Sequence, residues 1–198
     1  MSHATLPTDE ELLAWARAGN QRALRQIIER YEGKVAATVV GMLGAGPDAE
    51  DVGQETFIRF YRAMDKFRGE STLSTYLTRI AINQSLKALK KRRTWHERFF
   101  SRDDESLSIS EPGESGEETI EAVDRQRIVH EALQRLNPDH RAVAVLRFME
   151  GHSTRETAAI LGIPEGTVMS RLSRATDKLG DLLRPVMGAQ SKNSETQP

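Results

Sequence analysis

The chain has 198 residues and no cysteine, which excludes disulfides, cysteine-ligated zinc and direct thiol sensing. Its five histidines (His3, His96, His130, His140 and His152) show no metal-ligand spacing and read as scattered surface or packing residues. No apolar run approaches the roughly 20 residues of a membrane span, and mean hydropathy is -0.53. Met1 to Thr8 has no basic stretch followed by an apolar one, so a cytoplasmic chain without a signal peptide is expected. No phosphate-binding glycine loop, HExxH-like pair or nucleophile elbow is present, and no enzyme or cofactor is expected. Strand-like alternation with β-branched residues is also missing.

Net charge is only -1, which by itself argues against a nucleic-acid partner. Its distribution argues otherwise. Residues 1–93 carry +4, residues 94–124 carry -8 and residues 125–198 carry +3. Two mildly basic blocks thus flank one acidic segment. Ser101 to Gly116, rich in Ser and Glu and broken by Pro112-Gly113, buries too little apolar surface to offset chain entropy and reads as a linker. The expected fold is all-α: two small helical domains joined by a flexible acidic linker. The expected boundaries are residues 8–95, a linker over 96–117, a second domain over 118–187 and a disordered tail over 188–198.

In the first block, Thr8 and Glu11 have capping-box spacing ahead of Leu12, Leu13 and Ala16. Gly19-Asn20 closes that helix and caps the next, which carries Ile27, Tyr31, Val35 and Val39. After the Gly44 to Pro47 break, Asp48 is expected to cap a third helix with Val52, Phe57, Phe60, Tyr61 and Met64 inside. Ser71 opens a fourth helix to about Arg93. In the second block, Ile120, Val123, Ile128, Ala132, Leu133 and Leu136 share one helix. Pro138 opens the next, with Val143, Leu146 and Met149, and Gly151 ends it.

Three segments carry candidate function. Ser153 to Ala175 has the logic of a helix-turn-helix. Ser153 and Glu156 form a second capping box, Ala158 is small where helices cross, and Gly162 suits a turn of positive φ. With Val168, Leu172, Ala175 and Leu179 inside, the residues Thr167, Ser170, Arg171, Arg174 and Lys178 form an outward stripe fit for a major groove. A plain helical hairpin with a charged face is the alternative. On the fourth helix, Arg79, Asn83, Lys87 and Lys90 share one exposed face, extended by Lys91, Arg92 and Arg93; Tyr76 lies nearby. This suits a DNA backbone with some base contact, or is ordinary charged surface. Asp48 to Glu55, DAEDVGQE, is either a solvated helix start favoured by the N-terminal dipole or a docking surface for a basic partner.

At these residues the chain resembles a known family. DAEDVGQETFIRFYRAMDKFRGESTLSTYLTRIAIN is similar to region 2 of the extracytoplasmic-function (ECF) sigma factors, a branch of the sigma-70 family. LNPDHRAVAVLRFMEGHSTRETAAILGIPEGTVMSRLSRATDKL resembles their region 4. The resemblance implies a sigma factor that directs promoter-specific transcription in a stress or envelope response. It implies as partners core RNA polymerase (through its β′ coiled coil and β flap), promoter DNA and a cognate anti-sigma factor, membrane-anchored or not.

It further implies polymerase docking by Asp51, Val52, Gln54, Glu55 and Phe57. Minus-ten DNA would meet Phe67, Arg68, Ser71, Thr72, Ser74 and Tyr76, where a flipped base is captured, and Arg79, Asn83, Lys87 and Lys90. Minus-thirty-five DNA would meet Glu165, Thr167, Met169, Ser170, Arg171, Ser173, Arg174 and Lys178. The chain departs from the usual pattern at several points. Tyr76 stands where Trp is common and Leu73 where Phe is common. Met169 replaces a basic residue, and Ser173 a larger one. A sigma-like decoy that only binds an anti-sigma factor would be expected to lose the basic faces. An ordinary helix-turn-helix regulator would not need the DAEDVGQE helix.

Overall fold

The computed structural model describes residues 6–99 and 120–193, and the acidic linker expected over 96–117 lies mostly outside them. Every regular element among the described residues is helical. The N-terminal unit holds α1 (Asp9–Arg17), α2 (Gln21–Leu43), α3 (Pro47–Ala63), a 3-10 turn (Met64–Lys66) and α4 (Leu73–Phe99). The C-terminal unit holds α5 (Ile120–Gln134), α6 (Pro138–Ala144), a π-helical turn (Val145–Met149), α7 (Thr154–Leu161) and α8 (Glu165–Asn193).

Most helix starts follow local capping chemistry. Thr8 and Glu11 cap each other reciprocally, as do Ser153 and Glu156. Asn20 and Asn137 accept backbone N–H bonds at the starts of α2 and α6, with Pro138 in the first turn. Two starts differ from expectation. Gly46, not Asp48, is the cap of α3, because Pro47 already fits the first helical position and leaves Asp48 inside the first turn. At α4 it is Thr72 rather than Ser71 whose hydroxyl accepts from Thr75 N–H, at 3.1 Å. Two ends also differ. α4 continues past Arg93 to Phe99, and α8 reaches Asn193, beyond the expected tail start at 188.

The N-terminal core joins Leu12, Ile27, Val39, Phe60, Leu77 and Ala81 from all four helices. Tyr31 adds a polar tie: its hydroxyl donates to Asp9, whose carboxylate also pairs with Arg30 at 2.6 Å. Tyr61, expected inside, is 55 % exposed.

The two units do not stand apart. A second core mixes Met42 and Ile82 of the N-terminal unit with Leu133, Leu136, Leu146 and Ile160 of the C-terminal one. The seam has a polar part. The last carbonyls of α2 lack partners within the helix. Gln134 Nε2 donates to Gly41 O at 3.2 Å, and Arg141 Nη1 donates to Met42 O. α2 has no basic residue in its own last turn, so Arg141 brings the positive charge that a helix C-terminus favours. Glu150, its side chain only 5 % exposed, accepts from Thr38 Oγ1 at 2.7 Å and pairs with Lys34 at 3.3 Å. Gly41 permits the approach, since a Cβ there would sit 3.0 Å from Val145 Cγ2 and from Met149 Sδ.

His152 is buried beside this seam, and its Nε2 has no partner. Burial lowers its pKa first and Lys34 second, while Glu156 and Glu150 oppose them. Burial likewise lowers His130. Below about pH 6.5 the unfolded chain therefore binds more protons than the folded one. Stability should be full above that value and fall as pH drops toward the depressed folded-state values. Urea midpoints at pH 7.5 and 5.5 check this. The expected result is a lower midpoint at 5.5 and a flatter pH dependence in His152→Gln; an equal slope in that variant would refute the assignment to His152.

Candidate nucleic-acid and polymerase interface

The outer side of α3 is set by helical period. Asp51, Gln54, Ile58 and Tyr61 fall at i, i+3, i+7 and i+10 and are all exposed, Ile58 to 44 %. Val52 and Phe57, which the resemblance groups with Asp51 and Gln54 for docking, pack partly buried against the N-terminal core, as their helical spacing predicts. Glu55 pairs with Arg59 at 2.7 Å. The outward stripe is therefore acidic at its start and apolar at its end. The apolar half was missed because Ile58 and Tyr61 sit in a run where hydrophobic residues occur on both sides of the helix.

The loop between the 3-10 turn and α4 is short and held at both ends. Phe67 packs on Tyr76 with ring centroids 4.8 Å apart, and Tyr76 meets Phe60 edge-on at 6.5 Å. Thr72 Oγ1 lies 2.9 Å from Thr75 Oγ1 at the start of α4. Between these points Arg68, Gly69, Glu70 and Ser71 are exposed, and Gly69 takes φ +76, a conformation that favours glycine. Ser74 is half-buried on the first turn of α4.

On α4, Arg79, Asn83, Lys87 and Lys90 are all exposed on one face, as their spacing requires. The packing of α3 on α4 adds what spacing does not show. A groove of about 670 Å³ runs between them, and Arg59 and Arg62 of α3 face Tyr76, Asn83, Lys87 and Lys90 across it. Its floor includes Ala63, Ile80 and Leu86. A cationic rim over an apolar floor suits a phosphodiester chain whose bases stack or shelter below. The signal for Arg59 and Arg62 in the sequence is their i, i+3 spacing, which means nothing until α3 is placed beside α4.

In the C-terminal unit the turn between α7 and α8 is built as expected. Gly162 takes φ +66 and ψ 36 and closes α7 through its N–H to Ala158 O. Val168 and Ala175 are buried, with Leu172 and Leu179 half-buried beside them. Glu165, Ser170, Ser173, Arg174 and Lys178 are exposed on α8, and Met169 is too, touching Thr154 Oγ1 at 3.7 Å. Thr167 is half-buried, and its carbonyl accepts from Ser170 Oγ at 3.0 Å. Arg171 is tied down: it pairs with Asp139 at the start of α6, at 3.1 Å.

Residues 27–94 match the family model Sigma-70 region 2, and residues 126–179 match Sigma-70, region 4. The fold and these two matches define a sigma-70-type transcription factor. The chain belongs to the ECF sigma factors: it is 32 % identical over 185 residues to the ECF RNA polymerase sigma-E factor of Haemophilus influenzae, covering 91 % of this chain and 97 % of that one. Two solved structures are similar. CnrH, in complex with the cytosolic domain of CnrY, has a TM-score of 0.62 and 29 % identity over 88 % of this chain and 96 % of that one. The sigma factor RpoE of Bartonella quintana, in complex with the anti-sigma factor NepR, has a TM-score of 0.64 and 28 % identity over 81 % and 96 %. The family consists of transcription regulators rather than enzymes, and no helix among the described residues is long and apolar enough to cross a membrane.

Proposed function

We propose that this chain is a cytoplasmic sigma factor that directs core RNA polymerase to stress-response promoters without chemistry of its own. In this reading Asp51, Gln54, Ile58 and Tyr61 dock on the β′ coiled coil and the C-terminal unit on the β flap. The Phe67 to Ser74 loop takes the flipped minus-ten base. The α3–α4 groove, with Arg59 and Arg62 added to Asn83, Lys87 and Lys90, follows the adjoining backbone. Thr167, Ser170, Arg174 and Lys178 on α8 face minus-thirty-five DNA. The observation that carries the reading is the groove itself, a cationic rim and apolar floor opening beside an exposed, pinned loop. Unstacking a base costs a few kcal/mol, which a shaped pocket offsets. The DNA faces are only mildly basic, so polymerase must add affinity through effective concentration.

The two promoter elements are named for positions about 25 base pairs apart, roughly 85 Å along B-form DNA. A chain of this size packed as one body measures roughly 40 Å across. The closed arrangement therefore cannot occupy both elements, and the working form is an opened one. An anti-sigma partner fits the same picture. Two relatives were solved as complexes, one of them with an anti-sigma factor, and such a partner would block docking by covering the α3 stripe and the C-terminal unit.

The direct test is run-off transcription from a pool of promoter fragments with core polymerase, with and without the protein. Selective products establish sigma activity and give the promoter code. Core binding without products favours a decoy, and no core binding leaves a plain helix-turn-helix regulator. In the same assay Tyr61→Ala should weaken core binding by about 30-fold, the size of an interface hot spot near 2 kcal/mol. Wild-type affinity in that variant would move docking off the α3 stripe.

A further inference from the structure

We infer that Arg17, on the last turn of α1, is a positioning residue for promoter opening: it holds the base of the loop that the reading above assigns to base capture, and so rests on that reading. Arg17 Nε and Nη2 donate to Met64 O at 3.0 and 2.6 Å, and Nη2 also donates to Phe67 O. Met64 O also accepts the Phe67 N–H at 3.2 Å, so one carbonyl at the end of α3 gathers three donors. Such carbonyls lack intrahelical partners, and a guanidinium is well matched to two of them at once through its planar fork.

The consequence reaches the loop through Phe67. Its backbone turns to an extended conformation there, at φ -70 and ψ 115, and its ring lies on Tyr76. Arg17 fixes the carbonyl of Phe67 while Tyr76 fixes its ring. Four exposed residues later, Thr72 is fixed by the start of α4. With both ends set, the Arg68 to Ser71 span has little freedom, and its groups wait in one arrangement before DNA arrives. Such pre-ordering matters because misplacement of a capture site by about 1 Å is enough to cost up to a hundredfold in rate. Arg17 touches neither groove nor loop tip, so it acts only through Phe67.

The test uses full-length protein, core polymerase and a promoter from the run-off pool carrying 2-aminopurine in its minus-ten element, whose fluorescence rises on unstacking. Arg17→Ala should bind core and duplex promoter within about twofold of wild type yet open it roughly tenfold more slowly. Arg17→Lys should recover part of the rate, because an ammonium reaches one carbonyl but does not span both. Phe67→Leu should reproduce the slow opening with Arg17 intact. Wild-type opening in Arg17→Ala overturns the proposal. So does lost core affinity, or an opening defect that lysine does not relieve and that tracks a fall in melting temperature, since Arg17 would then merely cap α3. Should Arg17→Ala fail to fold, wild-type opening in both Arg17→Lys and Phe67→Leu overturns it. If wild-type protein opens no promoter, the sigma reading itself falls, and that is visible before any variant is made.

Discussion

Arg141→Ala is expected to lower folding stability by about 3–5 kcal/mol, the sum of several buried acceptors left unpaired at roughly 1–3 kcal/mol each. Arg141 is 5 % exposed. Its guanidinium donates to Met42 O across the seam and to Gln134 Oε1, Gln134 O and Leu136 O within its own unit. Burial, helped by Arg92, brings its pKa down to about 10, so it stays charged at neutral pH. Removing it strips the end of α2 and the α5–α6 corner together. Arg141→Lys keeps the charge but not the fork, and should recover less than half of the loss. Urea unfolding monitored by helical circular dichroism measures both variants. A loss under 1 kcal/mol for the alanine variant would mean that water already reaches these carbonyls and the seam is open in solution.

Gly41→Leu should separate the two units without unfolding either. A Cβ at position 41 already meets Val145 Cγ2 at 3.0 Å, and the rest of a leucine has no room against the π-helical turn. Met149 has a flexible tip and yields; the branched Val145 does not. Within α2 the same change favours the helix by about 0.8 kcal/mol, since glycine is the poorer helix former. The local and tertiary effects thus have opposite signs. Small-angle scattering should show the radius of gyration rising from the roughly 16 Å of a compact chain this long. If the opened form is the one that docks, core polymerase should bind this variant more tightly, because no fraction of it is held closed. An unchanged radius would show that the seam absorbs the side chain. A larger radius with unchanged core affinity would show that closure does not compete with docking.

Much of this protein is legible in one dimension. Capping boxes at Thr8 and Ser153, the left-handed turn at Gly162 and the proline at the start of α6 are local devices, each contained within a few residues. Periodicity separates the exposed face of Arg79, Asn83, Lys87 and Lys90 from the buried face of Leu73, Leu77 and Ala81, because a helix maps sequence spacing onto angle. Where hydrophobic residues crowd both sides of a helix, the mapping loses its contrast. That is why Tyr61, which is 55 % exposed, reads as inward by spacing, whereas Val52 and Phe57 lie inward as their spacing predicts.

Read alone, the sequence specifies an all-α chain of two helical units, one with a helix-turn-helix, and the faces they present, because caps, turns and amphipathic period act over single turns of helix; the sigma-factor reading came from the resemblance of its two motif blocks. The tertiary structure alone decided what those units do to each other. It set Arg59 and Arg62 across a groove from Lys87, put Arg17 on the carbonyls of Met64 and Phe67, and closed the end of α2 with Arg141 from 99 residues away. No spacing rule reaches these pairings. Each depends on an orphan helix-end carbonyl, or on an unpaired face, finding its partner only after the helices have packed.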